Sequence, residues 1–478
     1  MKNKLSKNII YQILYQIIVL FVPLILNPYL VKKLGVESIG TYTVIFTIVN
    51  YFVLFENLGI EHYGNRCIAI NKDNSNNLNK CFTELTILKF VLSSFVIVVY
   101  YLTVIIFFDS NIYYFIMGGF VVASLFDFSW LCYGLEKFRL NTIRNLFAKI
   151  IMMVMIFIFV KTKDDLLKYM IIMVLIQIIS NICVYFGCKK NVKFVKINFK
   201  NCENHIKGMI MLFLPIVSLT LYRNIDKTML GIIVSNEETG YYECAEKIIV
   251  LVCGLLTCIN TVMLPRISNL ISQNKKEKAN EYIYKTYIIV FTLSSACSFG
   301  IFAVSNNFVN IYYGDDFEYI SKIIKYLSIT IFMLSINNLL RTQILIPNNK
   351  DKEYSLSLIV GLVVNIIANS ILIPKYYAIG AAVGTIIAEA IVFILEMLFS
   401  IKQLNNLIHV TLYCFPTIFF GLIMLIVINI IDRLIKCNLI LVFFLEILVG
   451  AIIYLIMCFI YFNIIKRLRW RKNESKKI

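Results

Sequence analysis

Apolar residues fall along this chain in runs of about 20, the length that carries a helix across about 30 Å of hydrocarbon. Fourteen runs can be read, at about 9–31, 40–60, 82–108, 112–134, 143–160, 166–187, 208–234, 241–264, 283–304, 320–346, 354–373, 379–401, 407–431 and 439–463. A membrane β-barrel would instead show alternating segments of roughly 10 residues. Most polar segments between the runs are short, such as DSN at 109–111 and VSNEETG at 234–240. No loop is long enough to fold as a soluble domain, so the pattern predicts an all-α polytopic membrane protein without an extramembrane catalytic module.

Composition agrees with the pattern. Of 478 residues, 59% are hydrophobic and only 15% charged, and the mean hydropathy is +0.79. A soluble fold of this size needs a polar skin that such a composition cannot supply. Thirteen cysteines include no CxxC and no metal-ligand spacing with His62, His205 or His409. They read as small apolar packing residues rather than disulfides or a metal site. The first run follows a basic MKNKLSKN stretch but lacks a small-residue cleavage site, so it is expected to be a permanent span.

The net charge of +18 is distributed as a topology signal. With the N-terminus inside, the inner segments hold 32 lysines and arginines and the outer ones 10. That asymmetry places both termini in the cytoplasm and requires an even number of spans. A nucleic-acid partner would need a basic soluble face, and none is present. The tail KRLRWRKNESKK is read as a topology anchor beside membrane lipid.

The two halves resemble each other. GVESIGTYTVI at 35–45 aligns with SNEETGYYECA at 235–245, matching Glu37 with Glu237, Gly40 with Gly240 and Tyr42 with Tyr242. Each half also opens with a proline-interrupted helix, at Pro23 and Pro215. An offset of six spans keeps the repeats in one orientation, as between the halves of some transporters. The expected plan is a six-helix lobe over 1–207, a second over 208–405, and two additional helices with a basic tail over 406–478, with a cavity between the lobes.

Charges inside apolar runs carry the functional signal. A charge at the bilayer centre costs about 2.5–3.5 kcal/mol on insertion scales, so such groups face a bundle interior or a wet cavity. The in-span cations are Lys89, Arg223, Lys227 and Lys247, and the acids at or within spans include Glu56, Glu84, Asp127, Asp226, Glu243, Glu246, Glu389 and Glu396. Arg223 and Lys227 are four residues apart and share one helical face, with Asp226 three residues from Arg223. Glu243 and Lys247 have the same spacing. These groups are either local ion pairs that let the helices insert, or cations aimed at an anionic ligand. Lys89 and Glu84 sit nearer the inner end of the third run, where snorkelling is inexpensive.

Three stretches resemble Wzx-type polysaccharide flippases. FSWLCYGLEKFRLNTIRN at 128–145 is similar to that family's fourth-span exit through Trp130, Gly134, Glu136, Lys137 and Phe138, while Cys132 and Tyr133 depart from it. NIDKTMLGIIVSNEETGYYECAEKI at 224–248 is similar to the family's seventh-to-eighth-span hairpin, and AIGAAVGTIIAE at 378–389 to its twelfth-span start. The resemblance implies a member of the multidrug/oligosaccharidyl-lipid/polysaccharide exporter superfamily. Such a protein moves an undecaprenyl-diphosphate-linked oligosaccharide, destined for O-antigen, lipopolysaccharide or capsule, across the bacterial plasma membrane. Polysaccharide polymerase and chain-length proteins are the implied partners.

A matching mechanism follows from the charges. A diphosphate cannot cross bare hydrocarbon, and a cavity cation is its natural counter-charge. Arg223 and Lys227 are the first candidates for contact with the headgroup or an acidic sugar, followed by Lys247 and Lys89. Asp226, Glu243 and Glu246 either tune those cations or bind a coupling proton or sodium ion. No other cofactor and no metal is expected. The chain lacks a Walker A sequence, so ATP is not expected to drive it from within. The competing readings are a MATE-like multidrug or cation antiporter, a peptidoglycan lipid II flippase, and a membrane glycosyltransferase or repeat-unit polymerase. The last needs sizeable outer loops, and the longest expected here is 305–319.

Overall fold

The computed structural model describes residues 21–196, 202–404, 406–435 and 438–474, and among them every regular element is a helix. The helices are α1 (21–34), α2 (Val36–Asn57), α3 (Ile60–Asn71), α4 (Ser75–Phe107), the short α5 (Ile112–Met117), α6 (Gly119–Leu125) and α7 (Ser129–Gly134), α8 (Phe138–Phe159) and α9 (Leu166–Cys188). They continue with α10 (Cys202–Ile233), α11 (Asn236–Ser272), α12 (Lys276–Tyr312), α13 (Glu318–Leu339), α14 (Asp351–Ile401), α15 (Leu407–Cys414), α16 (Pro416–Leu434) and α17 (Leu439–Glu474). In hydrocarbon each backbone N–H and C=O must be satisfied within the segment, which is why uniformly apolar runs become helices. Large side chains such as Phe95, Phe107 and Phe459 stand outward as a lipid-compatible surface.

Among the described residues, 11 helices are long and apolar enough to cross a bilayer. The count rises to 12 if the bent pair His205–Phe213 and Ile216–Ile233 forms one span, and the 40° bend falls where the sequence places Pro215. One of the 11 is the 51-residue α14, which covers two expected runs, 354–373 and 379–401. Its helical geometry breaks at Tyr377 (φ 55, ψ −131). The run expected at 9–31 lies for the most part outside the described residues.

The chain divides into two compact units, Met1–Gly240 and Tyr241–Ile478. In the first, α10 lies along α2. The Tyr51 and Thr228 hydroxyls share a 2.9 Å hydrogen bond, and a Cβ added at Gly231 would fall 2.3 Å from the Val44 side chain. The lobe boundary expected from the repeat, at 207/208, falls within the first turns of α10. This helix packs on α2 and α3, where small residues let the backbones approach closely.

The first turns of α2 and α11 meet at the two glycines matched by the repeat. A Cβ at Gly40 would stand 1.6 Å from the Asn236 carbonyl oxygen, and one at Gly240 would stand 2.1 Å from the Val36 carbonyl oxygen. The Asn236 side-chain amide also donates to the Thr41 hydroxyl at 3.1 Å. Only glycine admits such backbone contact.

Asn74 starts α4. Its side-chain oxygen accepts from the N–H groups of Asn76 (3.1 Å) and Asn77 (3.2 Å), two of the orphan donors of a helix start. Asn74→Ala is expected to cost about 1 kcal/mol, read as a lower unfolding midpoint of purified protein. An unchanged midpoint would remove this cap from the account.

In the second unit α12 packs on α13, α16 and α17, and α13 packs on α14. A polar chain runs through this interior. Asn260 donates to Asn338 (2.9 Å), Gln343 to Asn260 (3.0 Å), and Asn337 to Glu389 (3.0 Å). Arg341, on the π-helical turn Leu340–Leu345, donates to Glu396 at 2.6 Å, and Ser357 donates to the same carboxylate oxygen at 2.8 Å.

The cysteines correct one expectation. Cys67 pairs with Cys81, and Cys132 with Cys188, so four of them are bridged rather than merely packed. No local motif announces these pairs. They join α3 to α4 and α7 to α9 across 14 and 56 residues. The buried free cysteines Cys202, Cys244, Cys253, Cys414 and Cys458 do act as packing residues.

Candidate functional site

A cavity of about 450 Å³ lies inside the first unit between the end of α2, the start of α3 and the middle of α10. Its polar wall consists of Asn50, Asn57, Glu61, Thr220, Arg223 and Asn224. The chain turns from α2 into α3 at Leu58 and Gly59, both left-handed. A Cβ at Gly59 would fall 2.7 Å from the Met209 carbonyl oxygen of α10, so this turn needs glycine for both its backbone conformation and its fit. The turn places Asn57 and Glu61 on the same cavity as Arg223. Among the described residues Arg223 makes no ion pair, and it is exposed.

Behind Asn57 lies Lys89, only 1% exposed. Its ammonium donates to the Asp127 carbonyl oxygen at 2.7 Å and to Asn57 Oδ1 at 3.4 Å. Asn57 Nδ2 donates to the Val53 carbonyl and to Ser124 Oγ. One amide therefore links the buried cation to the cavity wall. Asp127, Glu56 and Glu61 are the carboxylates that act on Lys89, and Glu56 is itself fully buried. Asp127 also accepts from the Ser129 N–H at 2.8 Å, fixing the start of α7. Lys89 is thus held in the protein and does not snorkel, because α2 and α6 cover α4 at this level.

The remaining expected residues are more dispersed. Lys227 and Asp226 lie one turn beyond Arg223, Asp226 buried and Lys227 half-buried, beside the Tyr51–Thr228 contact. Neither lines the cavity. In the second unit Lys247 pairs with Glu243 at 3.2 Å, the local ion pair that their spacing allows. Glu246 is half-buried on the next turn of the same helix.

Three groups escaped sequence reasoning. Glu61 follows the expected end of the second run and carries no periodic signal. Asn50 and Asn57 are ordinary polar interruptions until the fold turns them to one cavity. His205 is the third: it sits 2.9 Å from Glu84 and 2.9 Å from the Tyr63 hydroxyl. Together with Lys80, Asn71 and Asn77, Glu84 and His205 line a further cavity of about 350 Å³. Pairing of Glu84 with His205 requires a contact across 121 residues.

The stretch at 128–145 is a structural joint. Trp130 is buried against Gly64, where a Cβ would meet its ring at 2.8 Å, and Gly134 lies against Ile68. Glu136 pairs with Lys72 at 2.5 Å and holds that ammonium above its usual range through a direct hydrogen bond. Lys137 donates to the Gly187 carbonyl at 3.2 Å and to Asn191 at 2.5 Å. These residues lock α3, α7 and the end of α9 together.

Residues 5–271 match the polysaccharide biosynthesis protein family, and residues 212–371 match the MatE family. A protein of Escherichia coli (strain K12) named for O-antigen transport is 25% identical over 407 residues, covering 83% of this chain and 97% of its own. A protein of Shigella dysenteriae named likewise is also 25% identical over 407 residues, 83% of this chain and 100% of its own. Among solved structures, the lipid II flippase MurJ in an inward closed conformation superposes with a TM-score of 0.77 at 18% identity, over 96% of this chain and 99% of that one. An inward-facing multidrug resistance MATE transporter superposes at 0.59 and 12% identity, over 82% and 95%. The structural likenesses establish the fold.

Proposed function

We propose, from the premise that the chain belongs to the polysaccharide biosynthesis protein family, that it is a flippase for lipid-linked oligosaccharide repeat units. The cargo is an undecaprenyl-diphosphate-linked unit of an O-antigen or capsular polymer, moved without chemical change to the outer leaflet of a bacterial plasma membrane. The names of the Escherichia coli and Shigella dysenteriae relatives support this class of cargo. The observation that carries the reading is Arg223: an exposed guanidinium on a polar cavity within an apolar bundle. A planar guanidinium suits phosphate oxygens, and its charge-assisted hydrogen bonds are among the stronger ones available.

The proposed cycle is alternating access between lobes read from the sequence as 1–207 and 208–405, in a fourteen-span chain with cytoplasmic termini. Coupling to a proton or sodium ion, and partnership with polymerase and chain-length proteins, belong to the same proposal. A MATE-like antiporter is the second reading, favoured by the match over 212–371 and by Glu61 on the cavity wall. A bare cation as cargo would leave Arg223 opposed to it.

The test deletes the gene in its own host and supplies the Arg223→Ala, Lys227→Ala double variant. Each charge-assisted hydrogen bond lost is worth roughly 1.5–3 kcal/mol. Surface polymer is therefore expected to fall by about tenfold or more at an equal membrane level of protein. Normal surface polymer in the double variant would overturn the assignment of these residues.

A further inference from the structure

The two C-terminal helices lie outside the six-plus-six plan expected from the sequence, and they carry a carboxylate deep in their packing. Glu446 of α17 is 1% exposed. Its Oε1 accepts from Asn307 Nδ2 of α12 at 2.8 Å. The same nitrogen donates to Asp432 Oδ1 of α16 at 3.0 Å. One amide group of α12 therefore serves two carboxylates from two other helices, and their accepting oxygens are no farther apart than those two bonds laid end to end. The second oxygen of Glu446, Oε2, is buried and has no hydrogen-bond donor among the described residues.

We propose that Glu446 and Asp432, bridged by Asn307, form a proton-binding carboxyl pair in the C-terminal helix bundle. Two ionised carboxylates crowded onto one donor repel each other, and one proton shared between them removes the conflict. The amide of Asn307 has only two hydrogens, one for each acid. Nothing among the described residues supplies a third donor for Oε2, and a bare carboxylate oxygen buried without a partner is costly. A proton on Glu446 removes its charge and converts the pair to one carboxylic acid donating to one carboxylate.

The charged surroundings give the site a direction. Asp432 is exposed, whereas Glu446 lies within the packing of α12, α16 and α17. Lys325 of α13 lies within electrostatic reach of Asp432, and Glu318 and Lys322 act on the same lysine. A proton thus arrives from solvent at Asp432, and only O–H bonds change as it passes to Glu446. Neither residue was singled out by sequence reasoning, since each is a lone acid near the end of an apolar run. The site stands on its own geometry and does not rest on the identity of the transported cargo.

The experiment uses purified full-length protein in detergent, with infrared absorption of carboxyl groups followed as pH is varied. The protein is expected to show a protonated-carboxyl band that titrates, and Glu446→Gln should remove it. Asp432→Asn removes the like charge and should lower the pH midpoint of that band by about one unit or more. An unchanged band in Glu446→Gln would overturn the proposal. So would a band that responds to added sodium at constant pH. Should Glu446→Gln fail to assemble, Asp432→Asn at the exposed position decides alone: an unmoved midpoint overturns the pair. Because no cargo enters the measurement, failure here leaves the flippase reading untouched, and loss of that reading leaves this site standing.

Discussion

Lys89→Ala is expected to destabilise the first unit by about 3–5 kcal/mol, the usual result of removing one partner from a buried charge cluster. The cation is 1% exposed and donates to the Asp127 carbonyl and to Asn57. Asp127, Glu56 and Glu61 all act on it. Without Lys89, Glu56 remains fully buried and loses the one cation that acts on it among the described residues. Truncation therefore leaves an uncompensated acid as well as a cavity. The double variant Lys89→Met, Glu56→Gln removes both charges and is expected to recover part of the loss. Unfolding midpoints in detergent provide the measurement. A Lys89→Ala protein that unfolds at the wild-type temperature would refute the cluster's structural role.

Gly40→Val is expected to have a comparable or larger effect, at least about 3 kcal/mol, because overpacking here cannot be relieved by a side-chain rotation. The new Cβ would lie 1.6 Å from a backbone oxygen of Asn236. Either α2 or the start of α11 must shift, and the Asn236–Thr41 hydrogen bond would be lost with it. Gly240→Val should behave similarly, against the Val36 carbonyl. Gly300→Ala provides the control, since its Cβ meets only the end of Met424 at 3.7 Å. Folded yield by size-exclusion chromatography should collapse for the first two and persist for the third. Equal yields would mean that the glycine contact does not matter.

The match of Gly40 with Gly240 was legible as a repeat, three identities in eleven positions with equivalent placement. That these two glycines touch each other was not legible, because a repeat relates positions by equivalence and says nothing about contact. Arg223 was recognisable from its cost, as one of two cations on a single helical face within an apolar run. Its neighbours Asn57 and Glu61 were not, since uncharged amides and a loop-edge acid are inexpensive wherever they fall. Lys247 and Glu243 behaved as their spacing of four allowed. Lys89 did not snorkel, because depth along a helix is set by the sequence but cover by neighbouring helices is not.

The sequence by itself determined which segments are helical and apolar. Hydrocarbon thickness sets their length, and an unsatisfied backbone in lipid is too costly for any other form. Only the tertiary structure decided which charges meet. Lys89 reaches Asp127 across 38 residues and Asn57 across 32, and Asn307 reaches Glu446 across 139. Helical periodicity relates residues three or four apart on one face, so contacts at these separations follow from how the helices pack.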